Sequence, residues 1–276
     1  MNKSVPIGIF DSGYGGLTIF EKIRELLPQY DYLYLGDNAR TPYGTRSFEV
    51  VYQFTRQAVL FLFNAGCPLV ILACNTASAK ALRTIQQCDL PRIDSTRRVL
   101  GVIRPTVEAV DRISRTKHVG IFGTPGTITS QSYTLEIAKL YPHITLIGEA
   151  CPMWVPLVEN KAYDTPGANY FVKQHVEHLL AQDVRIDTIL LGCTHYSLLT
   201  DAIKRFLPDG ITVFPQGRQV AERLEDYLLR HPEMAGRLTK GQTCRFLTTE
   251  SAAKFSEVAS LFLKQPVADV EQVVVG

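Results

Sequence analysis

The chain has 276 residues, 46% of them apolar, with 29 Lys and Arg against 27 Asp and Glu and a formal net charge of +2. This composition excludes a disordered or collagen-like chain, and the near balance of charge argues against a surface that neutralises phosphates along a nucleic-acid duplex. The length suits one large domain or two of ordinary size.

The first ten residues carry too short an apolar stretch for a signal sequence and lack a small-residue cleavage site. No run approaches the roughly 20 apolar residues that span a bilayer, so a soluble cytoplasmic protein is expected, without membrane association. Residues 7–10 read as a short buried strand, followed by a turn over 11–16 rich in glycine. Leu17, Phe20, Ile23 and Leu27 have helical spacing, and Pro28 stops that helix. A second strand is expected at 32–35 and a loop at 41–44. Ser47 can cap a helix running to about Ala65, with Val51, Phe54, Ala58 and Leu62 as its apolar stripe. The third strand lies at 69–73, its helix at about 75–87, and a polar connection covers 92–98. Strand and helix alternate, which predicts a parallel sheet covered on both faces.

The pattern then restarts. Strands are expected at 99–103, 119–122 and 145–148, with helices at about 105–114 and 130–141. An irregular stretch begins at 155–159, because Pro156 and Pro166 interrupt it. A helix at about 170–181 leads into a strand around Ile189. The tail from about residue 210 adds a short strand at Val213 and Phe214 and a helix at about 219–230, expected to fold back on the first part.

An internal repeat underlies this order. Pro6-Ile-Gly-Ile-Phe-Asp-Ser-Gly13 resembles His118-Val-Gly-Ile-Phe-Gly-Thr-Pro125, and Leu69-Val-Ile-Leu-Ala-Cys-Asn-Thr-Ala-Ser78 resembles Thr188-Ile-Leu-Leu-Gly-Cys-Thr-His-Tyr-Ser197. The spacing between the copies is far too long for a solenoid. It predicts two pseudo-symmetric α/β units with mainly parallel sheets and a cleft between them: residues 1–98 completed by 208–276, and residues 99–207.

Each copy delivers a cysteine at the carboxyl end of a strand, where ligands sit in open α/β sheets. If the units face each other, Cys74 and Cys193 flank one cleft. Two thiols on opposite sides suit the transfer of a proton from one face of a carbon to the other. A helix N-terminus beside each would favour the thiolate and could hold substrate carboxylates, with Asn75, Thr76 and Thr194 as further donors. His195 could poise Cys193. Asp11 could orient or activate Cys74, and its counterpart Gly123 breaks the symmetry. Each feature also has a plainer explanation: cysteine is often a small buried residue, a lone histidine is often structural, and Asp11 could be a helix cap.

Other chemistries find less support. Cys-x-His without a second ligand pair argues against zinc. The glycines Gly13, Gly15 and Gly16 do not spell a dinucleotide fingerprint, no phosphate-loop motif occurs, and they read as serving a tight turn and close helix approach. Cys67, Cys88, Cys151 and Cys244 have no partners at useful spacing, so all six cysteines are expected as free thiols in a reducing compartment. Tyr52, Phe61, Phe63 and Trp154 read as core.

A set of ordered motifs resembles the glutamate racemases: Phe10-Asp-Ser-Gly-Tyr-Gly-Gly-Leu17, Gly36-Asp-Asn-Ala-Arg-Thr-Pro-Tyr-Gly44, Ala73-Cys-Asn-Thr-Ala-Ser78 and Gly192-Cys-Thr-His-Tyr196. Gly101-Val-Ile-Arg-Pro105, Gly123-Thr-Pro-Gly-Thr-Ile128 and Val155-Pro-Leu-Val-Glu159 add to it. The resemblance implies interconversion of L- and D-glutamate without a cofactor or metal, supplying D-glutamate for peptidoglycan. It implies Cys74 and Cys193 as the acid/base pair, Asp11 and His195 as their helpers, and Glu159 as a supporting acid near His195. It implies a substrate pocket lined by Asp11, Ser12, Tyr43, Gly44, Asn75, Thr76, Thr194 and His195, with Thr124 and Thr127 as additions, and a homodimer. Ser197 stands where the family often has proline, and Pro215-Gln216 where it often has Asp-Ser, which leaves the tail's packing open. The first strand starts near residue 6, so control by an N-terminal extension is not expected. A racemase of aspartate or another acidic amino acid, a Cys–His hydrolase using Cys193 and His195, and a non-catalytic binding module are the alternatives.

Overall fold

The structure is a computed structural model and describes residues 5–276; the first four residues of the N-terminal stretch considered above lie outside it. Among the described residues, ten strands form two wholly parallel sheets. In chain order they are β1 (Ile7–Asp11), β2 (Tyr32–Gly36), β3 (Leu69–Leu72), β4 (Arg98–Gly101), β5 (His118–Gly123), β6 (Thr145–Ala150), β7 (Thr188–Gly192), β8 (Thr212–Phe214), β9 (Cys244–Thr248) and β10 (Val270–Gln272). The first sheet runs β10-β9-β2-β1-β3-β4, the second β6-β5-β7-β8. The central strands β1, β2, β3 and β7 are buried along their whole length, as near-continuous apolar runs covered on both faces by helices require.

The two sheets share one plan. The order β2-β1-β3-β4 in the first matches β6-β5-β7-β8 in the second, so the repeat in sequence is a repeat in topology. Sheet membership corrects two expectations. The strand after residue 98 does not open the second sheet: Val99 pairs with Val70 and closes the first. The short strand at Val213 and Phe214 does not join the first sheet: Val213 pairs with Ile189 and closes the second. The tail does return to the first sheet, but through β9, which pairs with β2, and β10.

Local chemistry explains several helix ends. Ser47 Oγ accepts from the Val50 N–H at 3.3 Å and starts the helix Phe48–Asn64. Thr165 Oγ1 accepts from the Ala168 N–H at 3.2 Å, and Pro166 takes the first position of Pro166–Gln182, where its missing N–H costs nothing. Pro156 is tolerated for the same reason: residues 154–159 are not irregular but the helix Trp154–Glu159. The helix expected at about 130–141 is Ser132–Leu140, and Gln131, at φ 55°, separates it from a short helical turn, Pro125–Thr129, that was not expected. The helix after Asn75 is broken, into Asn75–Lys80 and shorter turns extending to Ile93.

The chain crosses between the sheets twice, through the helix Ile103–Ile113 and through the helix Gly217–Arg230. These crossing helices pack on each other, with Arg223 Nε 2.9 Å from Glu108 Oε2. The second also lies along the helix Leu17–Leu26. All six cysteines are free, and among the described residues no helix is long and apolar enough to cross a membrane.

Candidate active site

Cys74 and Cys193 stand just beyond β3 and β7, matching positions of the two sheets, and both line one cavity. The cavity encloses about 320 Å³ of space between atoms, counting the part open to solvent. Asp11, Ser12, Tyr43, Gly44, Asn75 and Thr76 line it from strand ends of the first sheet and the segments that follow them, and Thr124, Thr194 and His195 from segments that follow strands of the second. Thr41, Pro42 and Val155 complete the lining; none of these three was singled out from sequence, although each lies inside a motif that was.

Cys74 is the N-cap of Asn75–Lys80, and its sulfur accepts from the Ala77 N–H at 3.4 Å. Ser12 Oγ lies 3.2 Å from the same sulfur. Burial and then the charge of Asp11 push the Cys74 thiol up to about 12, against the pull of these two hydrogen bonds. Asp11 Oδ2 accepts from the Gly16 and Gly13 N–H groups at 2.9 and 3.2 Å, while Oδ1 is buried with no partner among the described residues. Burial raises the Asp11 carboxyl above the ordinary range, only partly offset by the charge of His195.

The second thiol has a different escort. Cys193 begins the short helix Thr194–Leu199, and its sulfur lies 3.8 Å from His195 Nδ1. On the ring's other side, His195 Nε2 is 2.9 Å from Glu159 Oε1. Burial disfavours an imidazolium here, but the hydrogen bonds and charges of Cys193 and Glu159 outweigh it and push His195 up to about 10. Glu159 sits behind His195 rather than in the cavity wall, and Thr41 reaches it across the units at 3.3 Å. The helix Trp154–Glu159 is fixed by the fully buried Trp154, whose ring is 4.8 Å from both Phe122 and Tyr196. Tyr196 Oη donates to the Cys151 carbonyl at 3.0 Å. Each aromatic contact of this kind adds about 0.5–1.5 kcal/mol beyond its burial, so the Glu159–His195 pair rests on a rigid base.

The glycine turn makes the two escorts compatible. A Cβ on Gly15 would lie 2.4 Å from Thr194 Oγ1 and 2.6 Å from both the nitrogen and Nδ1 of His195. Close approach to the second unit, in addition to turning into the next helix, is what requires glycine here. The hydroxyls of Thr76 and Thr124 meet at 2.9 Å, Thr124 and Thr127 at 3.1 Å, and the Gly126 N–H donates to the Gly44 carbonyl at 2.7 Å. Tyr43, a lining residue, donates its hydroxyl to Asp37. The Asn75 amide is held from behind by Gln216 and Tyr133.

The charged histidine has a measurable consequence for stability. Between the unfolded value of about 6.5 and about 10, the folded chain keeps the His195 proton and the unfolded chain has lost it. The His195 contribution to stability is therefore full below pH 6.5 and falls as pH rises through this window, by at most about 1.4 kcal/mol per pH unit. Cys67, Cys74 and Cys244, pushed up to about 12 by burial, act in the same sense only above about 8.5. Urea unfolding between pH 6.5 and 8.5 should show the decline, and His195→Asn should flatten it. An equal slope in the variant would place the coupling elsewhere.

Outside the cavity, Glu149, His175 and His178 cluster on β6 and the helix Pro166–Gln182, with His175 Nδ1 2.7 Å from Glu149 Oε1. None of the three lines the cavity.

Comparison with known proteins agrees with the motifs. A family model described as Asp/Glu/Hydantoin racemase matches residues 7–220. The glutamate racemase of Ruegeria sp. (strain TM1040) is 40% identical over 273 residues, covering 95% of this chain and 98% of the relative. Among solved structures, glutamate racemase isoform RacE1 of Bacillus anthracis superposes with a TM-score of 0.89 at 34% identity, over 99% of this chain and 98% of the other. Glutamate racemase of Francisella tularensis in complex with D-glutamate gives a TM-score of 0.86 at 32% identity, over 99% and 98% of the two chains. With its family model over residues 7–220, its relative at 40% identity and its like-folded solved neighbours, the chain belongs to the aspartate/glutamate racemase family, on its glutamate racemase branch.

Proposed function

We propose that the chain interconverts L- and D-glutamate by a two-thiol proton transfer, with Cys74 and Cys193 as alternating base and acid. The observation that carries this reading is that both cysteines line one cavity, each at the end of the equivalent strand of a repeated sheet. In one direction a thiolate takes the Cα proton as the C–H bond breaks, and the pair of electrons stays on carbon and its carboxylate. The opposite thiol then gives its proton to the other face. The two sulfurs end with exchanged protonation states, and proton exchange or the reverse reaction restores them. Neither step needs an oxidant or a further reactant.

The surrounding groups support the roles assigned to them. A thiol that is hard to ionise is a strong base once ionised, which helps against a carbon acid as weak as an amino acid. Asp11, lifted toward neutrality, can relay the Cys74 proton. His195, held as imidazolium against Glu159, can pass a proton to and from Cys193. The main-chain N–H groups of Asn75 and Thr194 and the hydroxyls of Ser12, Thr76 and Thr124 would hold the substrate carboxylates, a role supported by their residues lining the cavity. One solved relative in complex with D-glutamate and another in complex with L-glutamate favour glutamate over aspartate as substrate. D-Glutamate made this way would supply peptidoglycan synthesis in the cytoplasm. A homodimer, and a division into two units each built on one of the sheets, complete the reading.

Incubation of the purified protein with L-glutamate in deuterated water should yield D-glutamate carrying deuterium at Cα, by chiral chromatography and mass spectrometry. Loss of optical activity without solvent deuterium, or no change at all, rejects the mechanism. The same assay with L-aspartate should be far slower.

A further inference from the structure

Gln216 lies at the N-terminal end of the second crossing helix, yet its side chain does not cap that helix. It turns inward and is 4% exposed. Its Oε1 accepts from Asn75 Nδ2 at 2.9 Å, and its Nε2 donates to Asn75 Oδ1 at 3.2 Å and to the Tyr133 hydroxyl. Tyr133 Oη in turn donates to Asn75 Oδ1 at 2.6 Å. Three buried polar side chains thus satisfy one another, and they come from three places: Asn75 beside Cys74, Tyr133 on the helix Ser132–Leu140 of the second unit, and Gln216 at the start of the tail.

We propose that Gln216 is a positioning residue for the racemase site, locking Asn75 against Tyr133 so that the cavity wall next to Cys74 is set by the second unit and the tail. The proposal deepens the reading of Cys74 and Asn75 as parts of the site and rests on it. Its physical basis is the geometry of the amide pair. Two primary amides facing each other fix each other's rotation, and a buried amide that loses its partner carries a desolvation cost of about 1–3 kcal/mol. Asn75 without Gln216 would keep only the Tyr133 bond and could turn within the cavity wall. Cys74 is held separately, by Ser12 and the Ala77 N–H. Release of Asn75 should therefore weaken the hold on substrate in ground and transition state alike and spare the chemical step.

The test is the kinetics of Gln216→Ala and Gln216→Glu in both directions across pH, beside Tyr133→Phe and Cys74→Ser. Gln216→Ala should raise KM for both enantiomers about tenfold and lower kcat less than threefold. In Gln216→Glu a neutral carboxyl can still accept from Asn75 and donate toward Asn75 or Tyr133, whereas a carboxylate cannot donate. Its KM should therefore return toward the wild-type value as pH falls, while the offset in Gln216→Ala stays constant. Tyr133→Phe keeps the ring in place, removes the third partner, and should raise KM in the same sense. Should Gln216→Ala fail to fold, the pH-dependent recovery of Gln216→Glu carries the test. Unchanged KM in Gln216→Ala, or lowered thermal stability with no shift in KM and no recovery in Gln216→Glu, overturns the clamp. A racemising Cys74→Ser overturns the thiol assignment instead, so the two failures are distinguishable.

Discussion

Cys74→Ser and Cys193→Ser should each lower racemisation of glutamate by roughly 10³-fold or more, at the upper part of the range for loss of a positioned acid or base. A serine hydroxyl fits the space but does not ionise as a thiol does, so one face of the carbon loses its proton carrier. Because the reaction needs both faces, neither single variant can be compensated by the other thiol. The half-reactions should separate. With one thiol intact, a glutamate analogue bearing a leaving group at Cβ should still lose its Cα proton and eliminate, but from one enantiomer only, and the two variants should select opposite enantiomers. Chiral turnover and elimination measured on the same preparations would decide. If either variant racemises at the wild-type rate, the pair is not the proton-transfer machinery. Equal loss of elimination from both enantiomers in both variants would point to damage of the whole cavity.

Gly15→Ala should have the next largest effect, by a route that touches neither thiol. The added methyl would stand inside contact distance of Thr194 Oγ1 and of both the main-chain nitrogen and the ring of His195. These are not the free ends of flexible chains: His195 is pinned by Glu159, and Glu159 by the aromatic cluster around Trp154. The loop must therefore retreat, at about 1–3 kcal/mol for overpacking. A displacement near 1 Å in the groups beside Cys193 costs about 10²-fold in rate. The expected result is a folded protein with a lower unfolding midpoint and turnover reduced about a hundredfold. Wild-type kinetics in a folded Gly15→Ala protein would show that the turn can move without disturbing His195.

How far the sequence anticipated the structure follows from burial. The strands ending in Cys74 and Cys193 are buried throughout, so their apolar runs stand out and their repetition could be recognised. The edge strand β4 has one buried residue among four, β8 has none, and β9 has three among five. Strands so weakly marked carry too little apolar pattern to show which sheet they join, and two were assigned to the wrong one. The helix at Trp154 was hidden because proline argues against helix everywhere except in its first turn.

Site residues divide in a similar way. The thiols and their neighbours could be argued from position alone. Glu159 came only with the resemblance, since nothing in a stretch broken by prolines announces that a carboxylate will meet His195. Thr41 reaches Glu159 from another unit, and Gln216 meets Asn75 across 141 residues of chain. Contacts made between distant segments leave no local spacing to read. The departure at Pro215-Gln216 was visible, but its meaning needed the fold.

The double passage of the backbone between the halves has a mechanical corollary. A single tether would let them twist, slide and separate. Two helical struts bound side by side, with Arg223 joined to Glu108, brace the two sheets against twisting and sliding, so the alignment of the strand ends that carry the sulfurs is built into the chain itself.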